Sequence, residues 1–169
     1  MFKKLQEEQR AWVKHNFGDR PAWHPLMGAI EELGELAHHH LKEAQGIRNH
    51  EDHIAEAKDA VADIVIYLSD YCTAVNINLD EVMREQYYGV IWQNEPMKHI
   101  FVASHSLGVI AYEDVYQMGS PFSTIKSTIN NLKSYCLLRG WNFEAIVQAT
   151  WDKVKKRDWK KNPDKAHEG

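Results

Sequence analysis

Residues 53–75, HIAEAKDAVADIVIYLSDYCTAV, run without a glycine or proline and set four acids into a largely apolar stretch. Glu56, Asp59, Asp63 and Asp70 recur at i, i+3, i+7 and i+14. A helix would line them along one side, with Val61, Ile64, Val65 and Leu68 filling much of the rest. Asp63 stands between Ala62 and Ile64-Val65-Ile66. A carboxylate among such neighbours is costly to bury unless a positive charge answers it. The segment therefore predicts a long helix and asks what its acids face.

The rest of the chain is also written in helical spacing. Short helical patterning covers residues 3–15, and Gly18, Pro21 and Pro25 mark a loop over 16–25. Residues 25–43 carry Leu26, Ile30, Leu33, Ala37 and Leu41 as an i, i+3/i+4 stripe, read here as the core face. A polar break at 46–52 follows. Beyond residue 75, a helix is expected to start near Asp80 and run to about Asn94, with others over 99–118, 123–139 and 143–158. No long stretch alternates with period two. The fold class expected is all-α.

An internal echo suggests how the helices are arranged. Tyr71-Cys72 recurs as Tyr135-Cys136, a shift of 64, and Asn78-Leu79-Asp80 answers to Asn142-Phe143-Glu144 at the same shift. Leu33-Gly34 answers to Leu107-Gly108 at 74. The reading is a tandem pseudo-twofold bundle. Residues 1–95 form the unit carrying the acids. Residues 96–169 form a second, degenerate unit packed against it, within one compact domain.

On the stripe reading of 25–43, Glu32, Glu35 and His39 lie together on the opposite side. Glu32 and Glu35 are helix neighbours that repel. Two antiparallel helices joined by a short loop would set them against Asp59 and Asp63. Four facing carboxylates make sense around a hard divalent cation, Mg²⁺ or Mn²⁺, which takes oxygen ligands. His38, His39 and His40 point in three directions and do not form the HExxH zinc pattern.

Composition narrows the partners. The formal charge of −4 gives no pull toward polymeric nucleic acid. No apolar run approaches the ~20 residues that span a bilayer. The charged start, MFKKLQEEQR, has no secretion-signal pattern, and Cys72 and Cys136 suit buried free thiols in a cytoplasmic protein. Basic residues gather near the end, from Lys153 to Lys161, as a solvated helix end or a grip for polyphosphate.

Glu31-Glu32-Leu33-Gly34-Glu35, followed by Asp59-Ala60-Val61-Ala62-Asp63-Ile64-Val65-Ile66-Tyr67-Leu68, resembles the MazG-like all-α nucleoside triphosphate pyrophosphohydrolases. Their signature is EExxE on one helix and ExxD on the next. The ending Trp151-Asp152-Lys153-Val154-Lys155-Lys156-Arg157-Asp158-Trp159 is similar to that of some members. The resemblance implies Mg²⁺ held by both motifs and cleavage of a nucleoside triphosphate to monophosphate and pyrophosphate. It implies metal ligation by Glu32, Glu35 and Asp63, and catalytic work among Glu31, Glu32 and Glu35. Lys42, Arg157 and Lys160 are expected to counter phosphate charge. Asn76 and Trp159, with Trp23 and Tyr67, are candidates for gripping the base.

One position departs: the Glu of ExxD falls on Ala60. Asp59, four residues before Asp63, is expected to take its place as a ligand, with Glu56 the other acid in reach. Ala60→Glu would restore the family spacing. At the shifts above, the second half offers Ser106, Val109, Ser123 and Ser127 where the first has Glu32, Glu35, Asp59 and Asp63, so its site is lost. Single-copy members pair subunits. A fused copy would supply that partner in one chain, which leaves room for a homo-oligomer beyond it. Two rival readings stand beside the pyrophosphohydrolase. One is a deoxyuridine triphosphatase of the same all-α group; the other is an inactive scaffold or nucleotide sensor, favoured by Ala60.

Overall fold

The computed structural model describes residues 1–84 and 95–164, and all their regular structure is helical. In chain order the helices are α1 (Phe2–Phe17), α2 (Trp23–Gln45), α3 (His53–Ala74), α4 (Leu79–Arg84), α5 (Pro96–Tyr116), α6 (Phe122–Leu138) and α7 (Phe143–Val154). The expected stretch of helix from 85 to 94 lies outside the described residues. No helix is long and apolar enough to cross a membrane among those described.

Local chemistry sets the boundaries. The Asp52 carboxylate accepts from the Ala55 amide at 3.0 Å and caps α3. Asn142 does the same for α7 through the Ala145 amide, also at 3.0 Å. Gly46 ends α2 in the left-handed region at φ 63. Helix α7 stops at Val154, short of the expected 158, and turns follow.

Two hairpins, α2/α3 and α5/α6, make the body. Helix α3 sits at its centre, with α1, α2 and α7 against it, and is buried along nearly its whole length. That burial explains its apolar sequence. Gln9 reaches from α1 to donate to the Ile66 carbonyl at 2.6 Å. Gly28 on α2 is there for contact, not for a turn. A Cβ at that position would lie 2.5 Å from Cε1 of the Tyr67 ring.

The echo in the sequence has structural counterparts. Helices α3 and α6 end 64 residues apart, and α4 and α7 begin 64 apart. Asn76 and Gly140, also 64 apart, are both left-handed, at φ 57 and 69. The Ile77 amide donates to the Cys72 carbonyl at 2.7 Å, and Trp141 to Cys136 at 2.9 Å. Cys72 and Cys136 are fully buried, which pushes each thiol up to about 12 and keeps it protonated and inert. The cross-contacts are reciprocal. The Tyr71 hydroxyl donates to Asp114 on α5 at 3.1 Å, and the Tyr135 hydroxyl lies 3.2 Å from His40 Nδ1 on α2. Residues 40 and 114 are 74 apart. The short helices exchange as well: α7 packs on α3, and α4 on α6.

The face of α2 needs correction. The buried row is Leu26, Ala29, Leu33 and Leu36, whereas Ile30 and Leu41 are exposed together with Trp23 and Met27. Helix α2 is thus apolar on two sides. Exposed Met97, Phe101 and Val115 on α5 stand 74 residues from Trp23, Met27 and Leu41.

Candidate metal centre

Because the buried row is turned from the expected one, Glu32 does not oppose the core. It continues the line of Pro25, Ala29 and Leu36 at helical spacing and is half-buried. Burial is the largest influence on its carboxyl, followed by the charges of Asp63, Glu35, Glu31 and Asp59. Together they push it up to about 8, from an ordinary 4.5. On α3, Asp63 is also half-buried. Burial and then Asp59 drive its carboxyl up to about 7, Glu35 adds to this, and Arg157 and Lys153 pull against it.

The structure thus brings Glu32, Glu35, Asp59 and Asp63 into one electrostatic group, with Glu31 at its edge. Among the described residues none of the five forms an ion pair within 4.0 Å. The group is open: no three of its carboxylates have oxygens within 4.8 Å of one another. The donors are all oxygen, with Glu32, Asp59 and Asp63 half-buried and Glu35 exposed; such a set suits a hard divalent cation, which would relieve the mutual repulsion that Arg157 and Lys153 only partly offset. Asp70, the fourth acid of the α3 row, is not part of it. It is buried and ion-paired with Arg20.

Asp59 is a charged neighbour of Asp63. Its Oδ1 accepts from the Thr150 hydroxyl of α7 at 2.9 Å, which fixes the carboxylate beside Asp63. Glu56 instead acts on His39. Ala60 is 1% exposed and packed in the core, so a glutamate there would bury an added charge, and Ala60→Glu is not the restoring change it looked from spacing alone. Asp59→Asn keeps size and helix shape. If the group holds a divalent cation, the change should weaken Mg²⁺ affinity at least about tenfold, roughly 1.4 kcal/mol, with little change in melting temperature. Unchanged affinity by calorimetric titration would remove Asp59 from the site.

The cations come from the end of the chain. Trp12 Nε1 donates to the Arg157 carbonyl at 2.9 Å, and the Asn16 side-chain oxygen accepts from the Trp159 amide at 2.7 Å. These bonds hold the tail against α1 and keep Arg157 in the field of Asp63. Sequence reasoning missed Thr150 as a support and did not single out Lys153, whose place in a basic run carried no sign of its neighbour.

Other candidates stay apart. Lys42 lies two turns beyond Glu35 on α2, about 10 Å along the axis. Asn76 lies past the end of α3, whose last residue is about 16 Å along the axis from Asp63, and its left-handed backbone makes the turn there. Lys160 is exposed, while Trp159 is half-buried with the Arg157 guanidinium 5.9 Å from its ring centroid. A depression of about 580 Å³ at the α6–α7 turn, lined in part by Lys133, Leu137, Trp141 and Phe143, includes none of the carboxylates. No protein-family model, curated protein or solved structure matches this chain.

Proposed function

We propose that the chain is a Mg²⁺-dependent nucleoside triphosphate pyrophosphohydrolase, taking a (d)NTP and water to the monophosphate and pyrophosphate. The observation that carries the proposal is Glu32. It is a half-buried carboxylate whose strongest charged neighbours are four more acids, an arrangement that favours uptake of a proton or a cation. Its order along the chain, EExxE and then an acid pair ending in Asp63, supports the choice of reaction.

Glu32, Glu35, Asp59 and Asp63 would hold Mg²⁺, or Mn²⁺ in its place. The ion supplies charge neutralisation at phosphate oxygens and lowers the pKa of water it binds. Glu31 is exposed beside Glu32 and free of ion pairs among the described residues, so it is available to orient the attacking water or accept its proton. Arg157 and Lys153 give the acidic group a cationic flank from α7 and the tail, where leaving phosphates would be countered. Tyr67, pressed against Gly28 and in the field of Glu32, closes the site toward the core.

We read the second hairpin as a degenerate copy that replaces a partner subunit. The reciprocal tyrosine contacts and the exchanged short helices support this reading. A superposition in which α2–α4 and α5–α7 fail to match in order and direction would remove it.

Product analysis decides the reaction. With Mg²⁺ and each common nucleoside triphosphate, anion-exchange chromatography should show monophosphate and pyrophosphate as first products. Diphosphate and orthophosphate would refute the cleavage position. A substrate confined to dUTP would select the deoxyuridine triphosphatase reading. No turnover on any nucleotide would leave the inactive scaffold.

A further inference from the structure

A second cluster of ligand atoms lies one helical turn past the carboxylates, where α2 passes into α3. One ligand atom each from His38, His39 and Glu51 falls within 4.8 Å of the others, the one such trio among the described residues. His53, at the start of α3, borders the trio without belonging to it. Its ring is 7% exposed, and its Nδ1 lies 3.1 Å from His39 Nδ1 and 3.7 Å from a Glu51 oxygen. His53 Nε2 lies 3.1 Å from the Ile47 carbonyl oxygen. A carbonyl only accepts, so Nε2 carries the proton, and in the neutral ring the Nδ1 lone pair accepts from His39 Nδ1, a bond that a bound ion would replace. This is the backbone bond that commonly fixes the ring of a metal-bound histidine.

The cluster already holds a cation. Arg48 is ion-paired with Glu51, and its Nη1 lies 3.2 Å from His38 Nε2. Arg48 sits on the loop between the helices with left-handed backbone, φ 58, and its side chain is half exposed. Among the described residues nothing anchors the guanidinium beyond these two partners, so it can leave.

We propose that His38, His39 and Glu51, with His53 as an additional ligand, form a binding site for a borderline transition-metal ion of the Zn²⁺ class, in which the metal displaces the Arg48 guanidinium. Imidazole nitrogens with one carboxylate suit Zn²⁺ and its neighbours and are a poor set for Mg²⁺, which prefers oxygen. Four-coordinate zinc separates its ligands by about 3.4 Å, so no pair of the trio need close by more than about 1.4 Å, and His38 Nε2 is already 3.9 Å from a Glu51 oxygen. The bound ion would tie the last turns of α2 to the first turn of α3 across the 46–52 loop. The site is independent of the pyrophosphohydrolase reading: it uses none of the four carboxylates and takes a different class of ion.

The test is calorimetric titration of the whole chain with ZnCl₂ in excess Mg²⁺, repeated with Co²⁺ to record the visible bands of a nitrogen-ligated ion. One equivalent of Zn²⁺ should bind in wild type and in Glu32→Gln/Asp63→Asn. Binding should weaken at least about tenfold in His38→Ala and in His39→Ala, with loss of the Co²⁺ bands. Arg48→Ala should bind Zn²⁺ about threefold or more tightly than wild type, because a competing cation is gone; this separates a built site from an accidental group of histidines. Melting curves without metal serve as the folding control, since His38 and His39 are only half-buried. Zn²⁺ binding that survives in His38→Ala/His39→Ala, or that vanishes in Glu32→Gln/Asp63→Asn, would overturn the proposal and assign the zinc to the carboxylates. Absence of binding in wild type would overturn it outright.

Discussion

Glu32→Gln should lose about a thousandfold in turnover, roughly 4 kcal/mol, while the metal-free protein becomes more stable. The two effects have one cause. Glu32 is half-buried, with Asp63, Glu35, Glu31 and Asp59 as its strongest charged neighbours. In the unfolded chain its carboxyl ionises near 4.5; in the fold it does so at about 8. Between those values the folded state must take up a proton that the unfolded state has given away, and stability is lost as pH rises. The amide that replaces the carboxyl in Glu32→Gln has no such proton, so variant and wild type should melt alike near pH 4. The gap in favour of the variant should widen up to about pH 8 and then stay constant. Catalysis moves the other way, because an amide is a poor Mg²⁺ ligand and leaves the remaining three acids to hold the ion alone. Melting scans without metal across pH 4–9, set beside turnover with Mg²⁺, check both halves. A variant that is less stable than wild type at pH 8 would show that Glu32 is held by a cation after all. A variant of undiminished turnover would place the chemistry elsewhere.

Much of the fold was legible because helical spacing is a local signal. The length of α3, the break at 46–52 and the turn at Gly140 are written in residues that have few other uses. The face of α2 was not legible. Leu26, Ala29, Leu33 and Leu36 make one apolar row and Trp23, Met27, Ile30 and Leu41 another. Periodicity alone does not say which row meets α3. That choice is made by Gly28, where the absence of a Cβ admits the Tyr67 ring. Turning α2 by this amount moves Glu32 from solvent to the edge of the core, which is why its acidity is so changed. That Glu32 and Glu35 share a charged neighbourhood with Asp59 and Asp63 was legible from acids at helical spacing on two helices joined by a short loop. Thr150 was not, because its role depends on α7 crossing to α3, past the hairpin that precedes it in sequence. Asn76 was a candidate for gripping the base, yet its left-handed backbone marks it as the turn that the second half makes with Gly140.

The stabilisation conferred by Mg²⁺ should grow with pH, and this is the sharpest test that the carboxylates hold the ion together. Glu32 and Asp63 have folded values of about 8 and 7, both raised above their unfolded ones. Raised carboxyl values mean that the stability these groups contribute is present at low pH and is lost as pH climbs through 7 and 8. Without metal, the melting temperature should therefore decline from about pH 5 to pH 8. A cation must displace the same protons in order to bind, so its apparent affinity falls as the medium becomes acidic. At pH 8, and at a Mg²⁺ concentration about a hundredfold above its dissociation constant, mass action adds about 2.7 kcal/mol. For a chain of this size that is roughly 5–10 °C in melting temperature. At pH 5 both groups are mostly protonated, and the same Mg²⁺ concentration should add about 1 °C or less. Calorimetric scans with and without Mg²⁺ at pH 5, 6.5 and 8, at constant ionic strength, separate this linkage from simple screening, which stabilises repelling charges without regard to ion type. K⁺ at matched ionic strength should reproduce little of the effect. An equal Mg²⁺ increment at pH 5 and pH 8 would mean that the ion binds groups already ionised at pH 5, and Glu32 and Asp63 would then have to be struck from the metal site.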